Sequence, residues 1–98
     1  RYQHIRVDDV ELQRLFREQG CLEPDANGYE VIVADEGPPG PNAPKDCVVS
    51  QMLWYYENRI KIAEAHRYLR ADGSVGASGK PDPKTVRIED RLYLLRRT

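Results

Sequence analysis

The sequence predicts a single small α+β domain over residues 1–98, with two helices packed on a small, mostly antiparallel sheet that ends in a C-terminal hairpin. Three observations carry that expectation. An acid-capped helical stripe stands near the N-terminus. Several β-branched and aromatic runs are bounded by Asn-Gly and Asp-Gly turns. Ninety-eight residues leave room for one core, because globular domains run from about 50 to 200 residues.

The elements follow in order. Residues 4–7 (His-Ile-Arg-Val) alternate weakly and predict an edge strand. Asp8 and Asp9 precede a helix over residues 10–19: Asp is a good N-cap, Leu12, Leu15 and Phe16 form an apolar stripe, and Gly20 stands where a left-handed residue ends a helix. Pro24 to Gly28 is turn chemistry, and residues 29–34 (Tyr-Glu-Val-Ile-Val-Ala) have the composition of a strand. Residues 35–46 read as a stiff exposed connector, since Pro38, Pro39, Pro41 and Pro44 remove amide donors and fix an extended backbone.

Asp46 caps a second predicted helix over residues 47–58, where Val49, Met52, Leu53 and Tyr56 recur at helical spacing. On a helix, Trp54, Tyr55 and Tyr56 point about 100° apart. They cannot all enter one core, so these three aromatics are candidate partner contacts. Residues 60–70 contain good helix formers, yet the Ala71-Asp72-Gly73-Ser74 turn favours a strand. The reading leans to strand. Residues 85–95 predict a terminal hairpin around Glu89-Asp90.

Composition limits the partners. The net charge of −1 selects none by itself, but residues 1–58 carry five cations against eleven acids (net −6) and residues 59–98 carry ten against five (net +5). Such a split bears on association: either the halves neutralise each other within the fold or across a self-association contact, or the basic half meets an anionic partner. No apolar run approaches the ~18 residues that span a bilayer, so no membrane partner is expected. The opening Arg1-Tyr2-Gln3-His4 has no apolar stretch behind it, so no targeting peptide is expected either. Cys21 and Cys47 are too sparse for a disulfide scaffold and predict reduced thiols in a cytoplasmic protein.

One segment stands apart. Residues 73–79 hold three glycines and two serines, flanked by Arg67 and Arg70 before and Lys80 and Lys84 after. Such a loop can bring amide donors and cations close to a phosphate or carboxylate. It is not a Walker loop: Ser74 stands where the first Gly is needed, and Pro81 where Ser or Thr is needed. The candidate binding residues are Arg67, Tyr68, Arg70, Ser78, Gly79, Lys80 and Lys84.

The stretch His66-x-Tyr68-x-Arg70-x-Asp72-Gly73-x-x-Gly76-x-Ser78-Gly79-x-Pro81-Asp82-Pro83-Lys84 resembles a segment of small proteins from bacterial and phage genomes. The resemblance covers about a fifth of the chain and implies a small accessory protein. It brings no reaction, cofactor or partner with it.

Catalytic signals are thin. His4 and His66 are far apart, no Cys or His spacing suits zinc, and no Gly-x-Ser-x-Gly is present, so neither metal nor cofactor is expected and the protein is read as no enzyme. The leading expectation is a non-enzymatic accessory or binding module acting through a protein partner or a second copy of itself. The alternative is nucleic-acid binding through Arg67, Arg70, Lys80, Lys84 and Arg87, with Tyr68 for stacking. A third is a small metal-independent ribonuclease with His66 as base and the cations on the phosphate.

Overall fold

Asp8 begins the helix as the sequence predicts. Its carboxylate accepts the backbone N–H of Glu11 at 2.9 Å, satisfying one of the free donors of the first turn. Gly20 follows the C-cap Gln19 with φ +82°, a conformation that suits glycine. In the computed structural model, which describes residues 2–96, the order is β1 (Gln3–Val7), α1 (Asp9–Glu18), β2 (Glu30–Gly37), β3 (Cys47–Glu57), β4 (Ile60–Arg70), β5 (Asp82–Ile88) and β6 (Arg91–Leu95). The strands form one open sheet in the order β1-β6-β5-β4-β3-β2, antiparallel throughout except for the parallel β1–β6 pair.

The two-helix expectation is wrong. Residues 47–57 form β3, so the domain has one helix on a six-stranded mixed sheet. The apparent helical stripe arose because β3 is an interior strand with large side chains on both faces, which hides its alternation. Leu53 and Tyr55 are buried under the helix, while Met52, Trp54 and Tyr56 lie between them on the other face, half-buried. Asn58 does not end a helix. With Arg59 it makes a two-residue hairpin turn, both residues at positive φ (49° and 69°), and this joins β3 directly to β4. The segment 60–70 is a strand, and β2 runs three residues into the expected connector, through Gly37.

The helix packs on β5 and β6. Leu12, Leu15 and Phe16 meet Leu53, Tyr55, Ala63, Ala65 and Val86, and Phe16 sits edge-on to Tyr55 with ring centroids 5.3 Å apart. Ala63 and Ala65 on the central β4 keep the sheet surface low enough for the Phe16 ring to enter. Cys21 and Cys47 are free thiols, both buried, and burial pushes the Cys21 thiol up to about 12, which makes it inert at neutral pH. No helix among the described residues is long and apolar enough to cross a membrane.

Strand alternation assigns the opposite face. From β2 to β1 it carries Glu30, Ile32 and Asp35, then Met52, Trp54 and Tyr56, Glu64 and His66, Thr85 and Arg87, Leu92 and Leu94, and finally His4 and Arg6. No helix covers it.

Candidate functional site

The Gly/Ser segment is a folded hairpin with a short open stretch after it. Beyond Arg70 the chain turns on Asp72, whose Oδ1 accepts the Ser74 amide at 2.9 Å and the Ser74 hydroxyl at 2.6 Å, with Gly73 at φ +86°. The return leg pairs Val75 with Leu69, and Gly76 donates its N–H to the Tyr68 carbonyl at 2.8 Å. Gly76 lies directly on Cys47: a Cβ there would collide with the Cys47 sulfur. Ala77 and Gly79 then take positive φ, and Pro81 leads into β5.

Arg70 holds this hairpin closed. Its Nε donates to Asp46 Oδ2 at 2.6 Å, and its Nη1 donates to the Val75 carbonyl at 2.9 Å and the Ser74 hydroxyl at 3.3 Å. Its guanidinium keeps the Asp46 carboxyl below the usual carboxylate range, chiefly through that hydrogen bond. Arg70 is thus committed within the chain.

Beyond His66, β4 loses β5 as a neighbour, because β5 begins at Asp82 opposite His66. The notch left between the hairpin and β5 is a cleft of about 450 Å³, bordered by α1 and the segment 76–84. Four cations line it, Arg17, Arg67, Lys80 and Lys84, against one carboxylate, Asp82. Lys84 and Asp82 pair at 3.0 Å, but both are well exposed and such a pair is worth little. Among the described residues Arg17, Lys80 and Arg67 have no ion-pair partner.

Arg67 is positioned from behind. Its Nε donates to Gln51 Oε1 at 2.8 Å, and Gln51 in turn donates from Nε2 to Glu36 Oε1 at 2.6 Å. Gln51 is only 7% exposed, so this amide is a rigid mount that leaves the two terminal guanidinium nitrogens of Arg67 for the cleft. Sequence reasoning missed Gln51. The one available signal was a Gln inside an apolar run, and on a strand it falls on the buried face.

Of the residues expected to bind, Arg67, Tyr68, Ser78, Lys80 and Lys84 line the cleft. Gly79 shapes its loop with φ +82° and Arg70 lies outside. Among the aromatics, Tyr55 is 2% exposed and serves the core, so it is no contact for a partner. Trp54 and Tyr56 are half-buried on the bare face, with Lys61 Nζ 4.3 Å above the Trp54 ring.

His66 borders the cleft, but its Nε2 lies 2.6 Å from the Ser50 hydroxyl and its ring stands edge-on to Tyr68 at 4.6 Å. Burial, then the nearby Lys84 charge, lower its pKa below the ordinary value, against the opposite pull of Asp82. Among the described residues no three His, Cys, Asp or Glu side chains come together as a metal site. No protein-family profile, curated protein or solved structure matches the chain.

Proposed function

We propose that the protein is a non-enzymatic binding module whose cleft receives an acidic segment of a protein partner. The observation that supports this most is the excess of four cations over one carboxylate in a small cleft, with Arg67 held ready by a buried amide. Holding the guanidinium in place lowers the ordering cost of a bidentate grip on a carboxylate. The apolar walls from Leu22 and Pro81 suit a peptide whose acids alternate with apolar side chains. The resemblance of residues 66–84 to small bacterial and phage proteins, with two free thiols, favours an accessory protein working in a reducing cytoplasm.

Nucleic-acid binding is the second reading, and the placement of its cations weighs against it. Arg70 is spent on Asp46, and Arg87 lies on the bare face, its guanidinium 4.9 Å from the Tyr2 ring. The remaining cations gather in one cleft and do not track along a phosphate backbone. Fluorescence anisotropy with a labelled Glu/Leu-alternating peptide, a DNA oligonucleotide and an RNA oligonucleotide, at low and physiological salt, separates the readings. Peptide binding that disappears in Arg67→Ala/Lys84→Ala is expected. Tighter, steeply salt-dependent oligonucleotide binding favours the second reading, and no binding of any probe at low salt overturns both. Cleavage of the RNA that His66→Gln removes establishes the ribonuclease instead.

A further inference from the structure

We infer that the bare face of the sheet is a self-association surface, on which a second copy of this chain packs face to face about a two-fold axis running along the strands. Three observations lead there. Two apolar strips run along the face on either side of a polar middle: Met52 and Trp54 on β3 and Leu92 and Leu94 on β6 lie on it half-buried, with Ile32 on β2 37% exposed, while β4 and β5 between them carry Glu64, His66, Thr85 and Arg87. None of these belongs to the core cluster beneath the helix.

The area suits a dimer. Six strands about 4.8 Å apart and averaging about eight residues give a flat face of roughly 700 Å². A standard interface buries about 800 Å² per partner, and side-chain relief adds to the flat figure. Two such sheets stack about 10 Å apart with strands roughly aligned.

Charge then selects the symmetry. On this face the β2 edge carries exposed Glu30 and Asp35, while the opposite side carries Arg6 on β1 and Arg87 on β5. Among the described residues none of these four has an ion-pair partner within the chain. Rotation about an axis along the strands exchanges the two sides: β1 comes over β2, so that Arg6 of each copy overlies Glu30 and Asp35 of the other, β6 comes over β3, laying apolar strip on apolar strip, and β5 comes over β4, which carries Glu64. An axis across the strands would place arginine over arginine and acid over acid, which costs several kcal/mol. The closed two-fold arrangement uses both complementary pairs at once.

Sedimentation equilibrium on the full chain tests this with two reversed variants, Arg6→Glu and Glu30→Lys/Asp35→Lys. The wild type is expected to show a concentration-dependent dimer. Each variant alone is expected to associate at least ~10-fold more weakly, and an equimolar mixture to recover dimer, because each variant's altered side then faces an opposite charge. A wild type that stays monomeric at every concentration overturns the proposal. So does a reversed variant that dimerises like the wild type, or a mixture that recovers nothing. Circular dichroism establishes that the variants are folded. Should either misfold, Ile32→Lys replaces it, being a single exposed edge substitution: it is expected to weaken the dimer, and an unchanged dimer counts against the face. Arg67→Ala/Lys84→Ala should leave the dimer intact. Its loss there would place the contact in the cleft and overturn the proposal.

Discussion

The two faces of this sheet are built from alternate residues of the same strands, and they do opposite work. Under the helix, Leu53, Tyr55, Ala63, Ala65 and Val86 are each at most 2% exposed and pack on Phe16 and Leu12. One residue along, Met52, Trp54, Glu64 and His66 remain half-buried, tied by local pairs such as Lys61 over Trp54 and Ser50 to His66. The covered face contributes stability through excluded water and close packing. The bare face leaves apolar area and, among the described residues, unpaired charge uncovered by the helix. Side-chain size is thus a poor guide to role here: Trp54 is the largest residue of the chain and Ala65 among the smallest, yet Ala65 is the one that is fully buried.

The largest effect should break the equivalence of the faces. Phe16→Ala is expected to cost about 3–5 kcal/mol in urea denaturation, from lost burial and the cavity left behind. Trp54→Ala should cost less than half of that, because its ring is already partly exposed. Equal losses would mean that the bare face carries as much of the fold as the covered one.

A smaller loss is expected at the hinge between β4 and the cleft. Gly76→Ala should cost about 1–3 kcal/mol by overpacking against Cys47. The Cys47→Ala background should remove much of that cost, a coupling that a double-mutant cycle measures. Additive losses would show that the glycine is required for another reason.

Gln51→Leu sharpens the comparison differently, since Gln51 is a polar residue on the covered face. The change is expected to cost about 1–2 kcal/mol by leaving Arg67 Nε without its acceptor. It should also weaken binding of the acidic peptide although Gln51 is not part of the cleft wall. Unchanged peptide affinity would remove Gln51 as the mount of Arg67.

The smallest effect is a pH dependence from the bare face. The folded-state pKa of His66 lies below its ordinary value of 6.5. Between that lowered value and 6.5 the unfolded chain holds more protons than the folded one, so stability rises with pH across this window and levels off above it. His66→Gln should flatten the slope. Denaturation midpoints across mildly acidic pH measure it, and a slope that survives the substitution assigns it to other groups.

Much of this arrangement was legible in the residues. The capped helix after Asp8, the strand after Asn27-Gly28, the C-terminal hairpin and the weak edge strand at residues 4–7 all carry local signals: a cap, a turn pair, β-branched alternation. The segment 66–84 stood out by composition, and five of the seven residues named in and around it line the cleft. The segment 47–57 was misleading because helical and strand periodicities coincide when both faces carry large side chains. The pairing of Gln51 with Glu36 and Arg67 could not be read at all. Their roles depend on which strand neighbours which, and Glu36 meets Gln51 only through the β2–β3 pairing.

By itself, then, the sequence determined most of the turns, where the one helix begins and ends, and that its charges are unevenly divided. These follow from backbone preferences and composition, which act within a few residues. Only the tertiary structure decided that residues 47–57 form a strand, that Arg70 is a clamp while Arg67 lines the cleft, and that a whole face of the sheet lies bare. Each of those depends on partners 15 or more residues away, such as Gln51 for Arg67 and Asp46 for Arg70. No local preference encodes such a pairing, because it is fixed only when the sheet register brings the two side chains to the same face.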